Sequence, residues 1–194
     1  MKRLSEKSVA KVRAILLLLI MSLPGIGSSQ VDSVLLERVS RISVGGSVGI
    51  QGLNSGLGID ITSPAFLKKS LSVRIHSSIN WLEWYKAQTD DWVTYPELGA
   101  ALVFNTRPSQ RMRLFVEAGP FFIFPSREFS DKNFETGFTG LAGAELFSNN
   151  GPHRKVSYFF GGGLAICYAV AEKLDNRPAY GDGFIFKTGL RCYF

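Results

Sequence analysis

Lys187-Thr-Gly-Leu-Arg-Cys-Tyr-Phe194 closes the chain with a two-residue alternation of polarity. Carried back to Phe184, it sets Phe184, Phe186, Leu190, Cys192 and Phe194 on one face and Lys187, Gly189, Arg191 and Tyr193 on the other. Period two is the mark of a strand with unlike faces. Terminal residues fray unless they are tied down, so a last residue on the apolar face must be paired and covered. A buried edge strand of a soluble sandwich and a wall strand of a membrane barrel both meet that condition.

Working outward, the same period recurs between turn-forming residues and predicts eight strands. They are roughly Ser40–Gln51, Gly56–Thr62, Ser70–Tyr85, Val93–Asn105, Met112–Phe124, Thr136–Phe147, Val156–Val170 and Gly183–Phe194. Most are long enough for a tilted membrane crossing, which takes about 9 to 11 residues. An even number returns both chain ends to one side. On that reading Ser63–Lys69, Asn105–Arg111 and Ser148–Lys155 are turns on the side of the termini, and Gly52–Ser55, Lys86–Trp92, Pro125–Glu135 and Ala171–Asp182 are loops on the other. Glycines recur inside the strands, at 45, 46 and 49, 140 and 143, and 161 to 163. Glycine weakens a strand, so this use points to close packing within a narrow barrel. The triple glycine is no phosphate loop, because the Lys-Ser/Thr pair and the following helix are missing.

At the other end, Met1 to Arg13 holds Lys2, Arg3, Lys7, Lys11 and Arg13 against Glu6. An apolar run, Ala14 to Leu23, follows, then Pro24-Gly-Ile-Gly-Ser-Ser29. That order is a secretory signal, expected to be removed near Ser29 or Gly27. A run of ten residues, nine of them apolar, falls short of the roughly 20 that a spanning helix needs, and no cysteine near the junction suggests a lipid anchor. The expected organisation is therefore a signal peptide over residues 1–29, a lead-in over 30–39 and a barrel over 40–194. The leader carries five of the 22 basic residues and one of the 16 acidic ones, so the mature net charge falls from +6 to +2. A basic isoelectric point is thus mostly a targeting effect and does not imply nucleic acid as a partner.

These features together resemble the small eight-stranded outer-membrane β-barrel proteins of Gram-negative bacteria. The last strand is similar to that class's C-terminal assembly signal, with the polar residue at Lys187, the glycine at Gly189 and the hydrophobic pair at Cys192 and Phe194; Cys192 stands where an aromatic is more usual. The resemblance implies an all-β, antiparallel up-and-down transmembrane barrel in the outer membrane. It also implies outer-membrane lipid and the barrel assembly machinery as partners. It implies no particular task, since fold does not determine function. The expected role is structural or surface-interacting.

Strand parity assigns the faces. The apolar, lipid-facing sets are Leu71, Val73, Ile75, Ile79 and Trp81; Leu98, Ala100, Leu102 and Phe104; Leu114, Val116, Ala118, Pro120, Phe122 and Phe124; and Tyr158, Phe160, Leu164, Ile166 and Tyr168. Opposite them fall Asp60, Arg74, Glu97, Arg113, Glu117, Glu145, Lys187 and Arg191. Four acids and four bases suit a luminal charge network. An eight-stranded barrel is only wide enough to be filled by side chains, and buried ions must be paired. That composition fits a plugged interior rather than a wide pore. Aromatics gather near both strand ends and predict two girdles. One holds Trp81, Trp84, Tyr85, Trp92 and Tyr95, the other Phe104, Phe147, Tyr158 and Phe194.

Two other functions stay open on sequence. His76-Ser-Ser78 resembles the His-x-Ser pair of outer-membrane lipid A deacylases, and a Ser–His hydrogen bond on one strand face is conceivable. That family, however, carries its pair near the C-terminus. Only Glu83 and Asp90-Asp91 offer a nearby acid, and the pair shares the inward face of Arg74. The other function is a soluble secreted β-sandwich or lipocalin-like carrier, which would want an apolar lumen. Neither the two histidines, with His153 alone in a turn, nor Cys167 and Cys192 have metal-ligand spacing, and no cofactor is expected. Parity sets Cys167 inward and Cys192 outward, so both are expected as free thiols.

Overall fold

The computed structural model describes residues 41–86, 89–107, 112–147, 156–174 and 177–194, without the side chains of 84–91. The segments expected as signal and lead-in, His153 and most of the turns expected at Asn105–Arg111 and Ser148–Lys155 lie outside the described residues.

Each alternating segment forms a strand: β1 Ser43–Gln51, β2 Asn54–Thr62, β3 Leu71–Lys86, β4 Thr89–Asn105, β5 Met112–Ile123, β6 Glu135–Phe147, β7 Val156–Ile166, β8 Ala169–Val170, β9 Ala179–Tyr180 and β10 Gly183–Tyr193. Eight of them form one closed antiparallel barrel in the order β1-β10-β7-β6-β5-β4-β3-β2, with β8 and β9 as a small separate ladder. The barrel closes through its first and last strands, Ser43 against Tyr193 and Gln51 against Ile185. Beyond that ladder, the Phe194 amide donates to the Ile42 carbonyl at 3.0 Å. The terminal strand is therefore held along its whole length, and no sheet edge is left in the wall. Carried once round the wall, the registers displace β1 against itself by ten residues. A stagger of that kind goes with strands tilted about 35–45° to the axis.

The faces follow parity. The outward sets named above are exposed or half-exposed, as are Val48 and Ile50 on β1, Leu57, Ile59 and Ile61 on β2, and Phe184, Phe186 and Leu190 on β10. Among the described residues of the eight wall strands, Glu83 is the one charged side chain facing outward. It pairs with Trp92, beyond the end of β2 at Asn54. Closure rules out a sandwich architecture, and the lumen carries charged side chains rather than the apolar lining a carrier would want.

Several boundaries differ from the sequence reading. Gly52–Ser55 is not a loop but a two-residue turn, with Gly52 at φ 62° and Asn54 already paired with Gln51. Lys86–Trp92 is mostly strand, because β3 and β4 stay paired up to Lys86 and Thr89. Polar residues there mark contact with water, not the end of hydrogen bonding. β7 stops at Ile166 rather than Val170, since the Cys167 amide donates to Asp182 Oδ1 at 3.2 Å. The β4–β5 ladder lapses between Gly99↔Phe121 and Leu102↔Ala118. Pro120 has no N–H to give there, and any Cβ at Gly119 would collide with the Ala100 carbonyl.

Candidate functional site

Inward residues from all eight wall strands converge on the lumen in three tiers. Nearest the chain ends, three arginines and three carboxylates alternate. Glu145 on β6 has no exposed surface. Its Oε2 accepts from Arg113 Nε at 2.7 Å, while its Oε1 accepts from the hydroxyls of Ser157 and Tyr193 and lies 3.5 Å from Arg191 Nη1. Arg113 Nη2 also donates to the Tyr193 hydroxyl at 2.6 Å. Arg191 reaches across to Asp60 at 3.2 and 3.4 Å. Arg74 lies 3.5 Å from the same carboxylate, donates to Thr62 Oγ1 at 2.9 Å and pairs with Glu117. The guanidiniums stack on rings as well, with Arg191 4.5 Å from the Phe159 centroid and Arg74 5.6 Å from that of Phe115. Charges held in low dielectric persist only when compensated in this way.

The middle tier is a cavity lined by Ser47, Ser78, Asn80, His76, Glu117 and Lys187, among others, leaving about 40 Å³ in which the centre of a water molecule can move. Glycines make the room. A Cβ at Gly56 would strike Asn80 Oδ1, and one at Gly99 would strike the His76 imidazole. Lys187, half-buried, lines this space and belongs to no ion pair among the described residues. His76 Nε2 lies 3.5 Å from Glu97 Oε1. Ser78 Oγ accepts from Asn80 Nδ2 at 3.2 Å. The acid beside His76 is therefore Glu97, not Glu83, whose side chain is outward and exposed.

The outer tier is a cap. Loop 124–134 and the segment carrying β8 and β9 fold over the mouth, bringing Phe129 and Tyr180 against Tyr95. Tyr180 lies 5.3 Å from Tyr95 and 5.2 Å from Phe129 between centroids, and all three are fully buried. Asn54 Nδ2 donates to the Tyr95 hydroxyl at 2.9 Å, and Gln51 Nε2 donates to the Gly181 carbonyl at 2.9 Å. On top, Lys173 bridges to Asp131 at 2.8 Å and its amide donates to the Phe129 carbonyl at 3.1 Å. Burial pushes the Tyr180 hydroxyl up to about 12.

Two girdle assignments are corrected here. Tyr95 and Phe147 point inward, the first into the cap and the second onto Tyr193 at 6.0 Å. Each shares parity with a neighbouring luminal acid, Glu97 and Glu145. Trp92, Phe104, Tyr158 and Phe194 are outward and exposed; the side chains of Trp84 and Tyr85 lie outside the described residues. Sequence reasoning missed Tyr193, Ser157 and Thr62 as partners of the network, although their parity was available. Within the assembly-signal positions, Gly189 and Lys187 are half-buried, and Cys192 and Phe194 are exposed and outward. Cys167 is buried, and both thiols are free.

No family model matches the chain, and no curated protein matches its sequence. Solved structures do. The N-terminal β-barrel domain of Pseudomonas aeruginosa OprF is 13% identical with a TM-score of 0.47, covering 80% of this chain and 98% of that one. A de novo designed transmembrane β-barrel is 12% identical at 0.44, covering 80% and 96%. Ail, the attachment invasion locus protein of Yersinia pestis, solved with the heparin analogue sucrose octasulfate, is 17% identical at 0.38, covering 78% and 95%.

Proposed function

We propose that the chain is an integral outer-membrane barrel with a structural or surface-interaction role, exported by its leader and inserted by the barrel assembly machinery through β10. The observation that carries this reading is the reversal of polarity across one closed wall. Residues such as Ile59 and Leu164, 66% and 60% exposed, cover the outside, while Arg191 and Glu145 have no exposed surface. Water would penalise such an outer surface, whereas a hydrocarbon layer matches it. Closure supplies what a membrane demands of strands, since every wall strand has a neighbour on both sides. In that setting the end bearing the termini faces the periplasm and the cap faces outward.

The interior supports a sealed barrel rather than a channel or a catalyst. His76 and Ser78 sit inside the lumen, and among the described residues the Ser78 hydroxyl accepts a hydrogen bond from Asn80. Replacing His76 and Ser78 by alanine is expected to leave lipid A unchanged, and altered lipid A would restore the deacylase reading. The test of the main proposal is fractionation with gel electrophoresis of boiled and unboiled samples. A heat-shifted band in the outer-membrane fraction is the expected result, and a soluble periplasmic product would overturn it.

A further inference from the structure

Charge is divided unevenly between the two ends of the barrel. The capped end carries both signs, and they meet: Lys132 with Glu135 and Glu172, Lys173 with Asp131. At the end bearing the termini, the exposed charged side chains among the described residues are all basic: Arg41, Lys68, Lys69 and Arg107. Arg111, Arg154 and Lys155 belong by sequence to the segments that join β4 to β5 and β6 to β7. Among the described residues Lys68, Lys69 and Arg107 have no ion pair, and no described Asp or Glu is exposed at this end.

The turn between β2 and β3 gives this rim a definite shape. Leu67, Lys68 and Lys69 occupy the left-handed region in succession, with φ of 45°, 60° and 63°. L-residues adopt that region at a cost, and such strain persists only where surroundings enforce it. Here the Ser63 amide donates to the Val73 carbonyl at 2.8 Å, Phe66 to Leu71 at 2.7 Å and Ser70 to Phe66 at 3.2 Å. The Asn105 amide donates to the Ser70 carbonyl at 2.7 Å, which ties this turn to the one bearing Arg107. The held turn exposes two apolar side chains, Phe66 and Leu67, at 43% and 69%, directly before the two lysines.

We infer that this rim docks on anionic phospholipid headgroups of the leaflet nearest the termini, with Lys68, Lys69 and Arg107 at the phosphates and Phe66 and Leu67 seated in the acyl boundary. The inference rests on the membrane reading above and adds the lipid class. Apolar residues beside unpaired lysines are what an interface with anionic lipid selects.

The test folds the full mature chain into phosphatidylcholine bilayers and compares how strongly spin-labelled phosphatidylglycerol and spin-labelled phosphatidylcholine are immobilised beside it. A roughly threefold preference for phosphatidylglycerol is expected, weakened by high salt. It is expected to fall to parity in the triple variant Lys68→Gln, Lys69→Gln, Arg107→Gln and to persist in Lys132→Gln, Lys173→Gln. Equal immobilisation by the heat-shifted wild type would overturn the inference, as would a preference that survives the triple variant. Displacement by millimolar inorganic phosphate would assign the rim to free phosphate and overturn lipid docking. Should the triple variant not fold, each single variant is expected to lose part of the preference, and three unchanged singles would count against it. A wild-type chain that inserts in no bilayer would instead overturn the membrane reading.

Discussion

Glu145 shows what a single luminal residue contributes. Its two oxygens take hydrogen bonds from Arg113 on β5, Ser157 on β7 and Tyr193 on β10, and Arg191 stands beside it. Removing one charge from such a group leaves the others buried without compensation, at a cost of about 3–5 kcal/mol. Glu145→Gln is therefore expected to lower the barrel's unfolding free energy by that order, read as an earlier urea midpoint in zwitterionic lipid. A loss of less than a tenth of that cost, taken from midpoint and slope together, would show the network to be dispensable. The inward position of Glu145 was readable because parity is local and needs no knowledge of neighbours. Its partners were not assigned, because which of eight strands lies alongside, and in what register, depends on closure. Tyr95 and Phe147 show the opposite error. They were placed in girdles by nearness to strand ends, although their parity with Glu97 and Glu145 already set them inside.

Among the elements, the cap is the part that sequence left unread. Loops have no period, so nothing in 124–134 or in 167–182 indicated that Phe129, Ala169, Ala171 and Tyr180 would be buried. The strands were legible through alternation, while their ends were blurred where ladders continue into water, as in β3 and β4. Cys167, 2% exposed, lies under this cap, whereas Cys192 is outward on β10. Phe129→Ala removes the ring packed against Tyr180 at 5.2 Å and Tyr95 at 6.4 Å and is expected to raise the rate of labelling of Cys167 by a polar thiol reagent about tenfold or more, with Cys192 unchanged. An unaltered Cys167 rate would mean that Phe129 does not hold the cap. Alkali offers a second route. The folded cap holds the Tyr180 proton up to about 12, above the usual 10, so its stabilising effect is complete below pH 10. It is lost as pH rises through 12. Cys167 protection is expected to fail across that window, and protection unchanged above it would exclude Tyr180 as the cause.

For the whole molecule, the charge network fills the lumen on one side of the middle cavity and the cap fills it on the other. Planar bilayers containing the folded protein are expected to show no stepwise current, and steady conductance from the wild type would show that the tiers part. The wall itself restricts how this chain can vary. Side chains change face at every residue, and all eight wall strands are locked in one circular register. Adding or deleting one residue inside any strand would turn the rest of that strand inside out, carrying arginines outward and isoleucines into the network. Relatives of this chain are therefore expected to differ in length within the wall by even steps and to place odd ones in the turns.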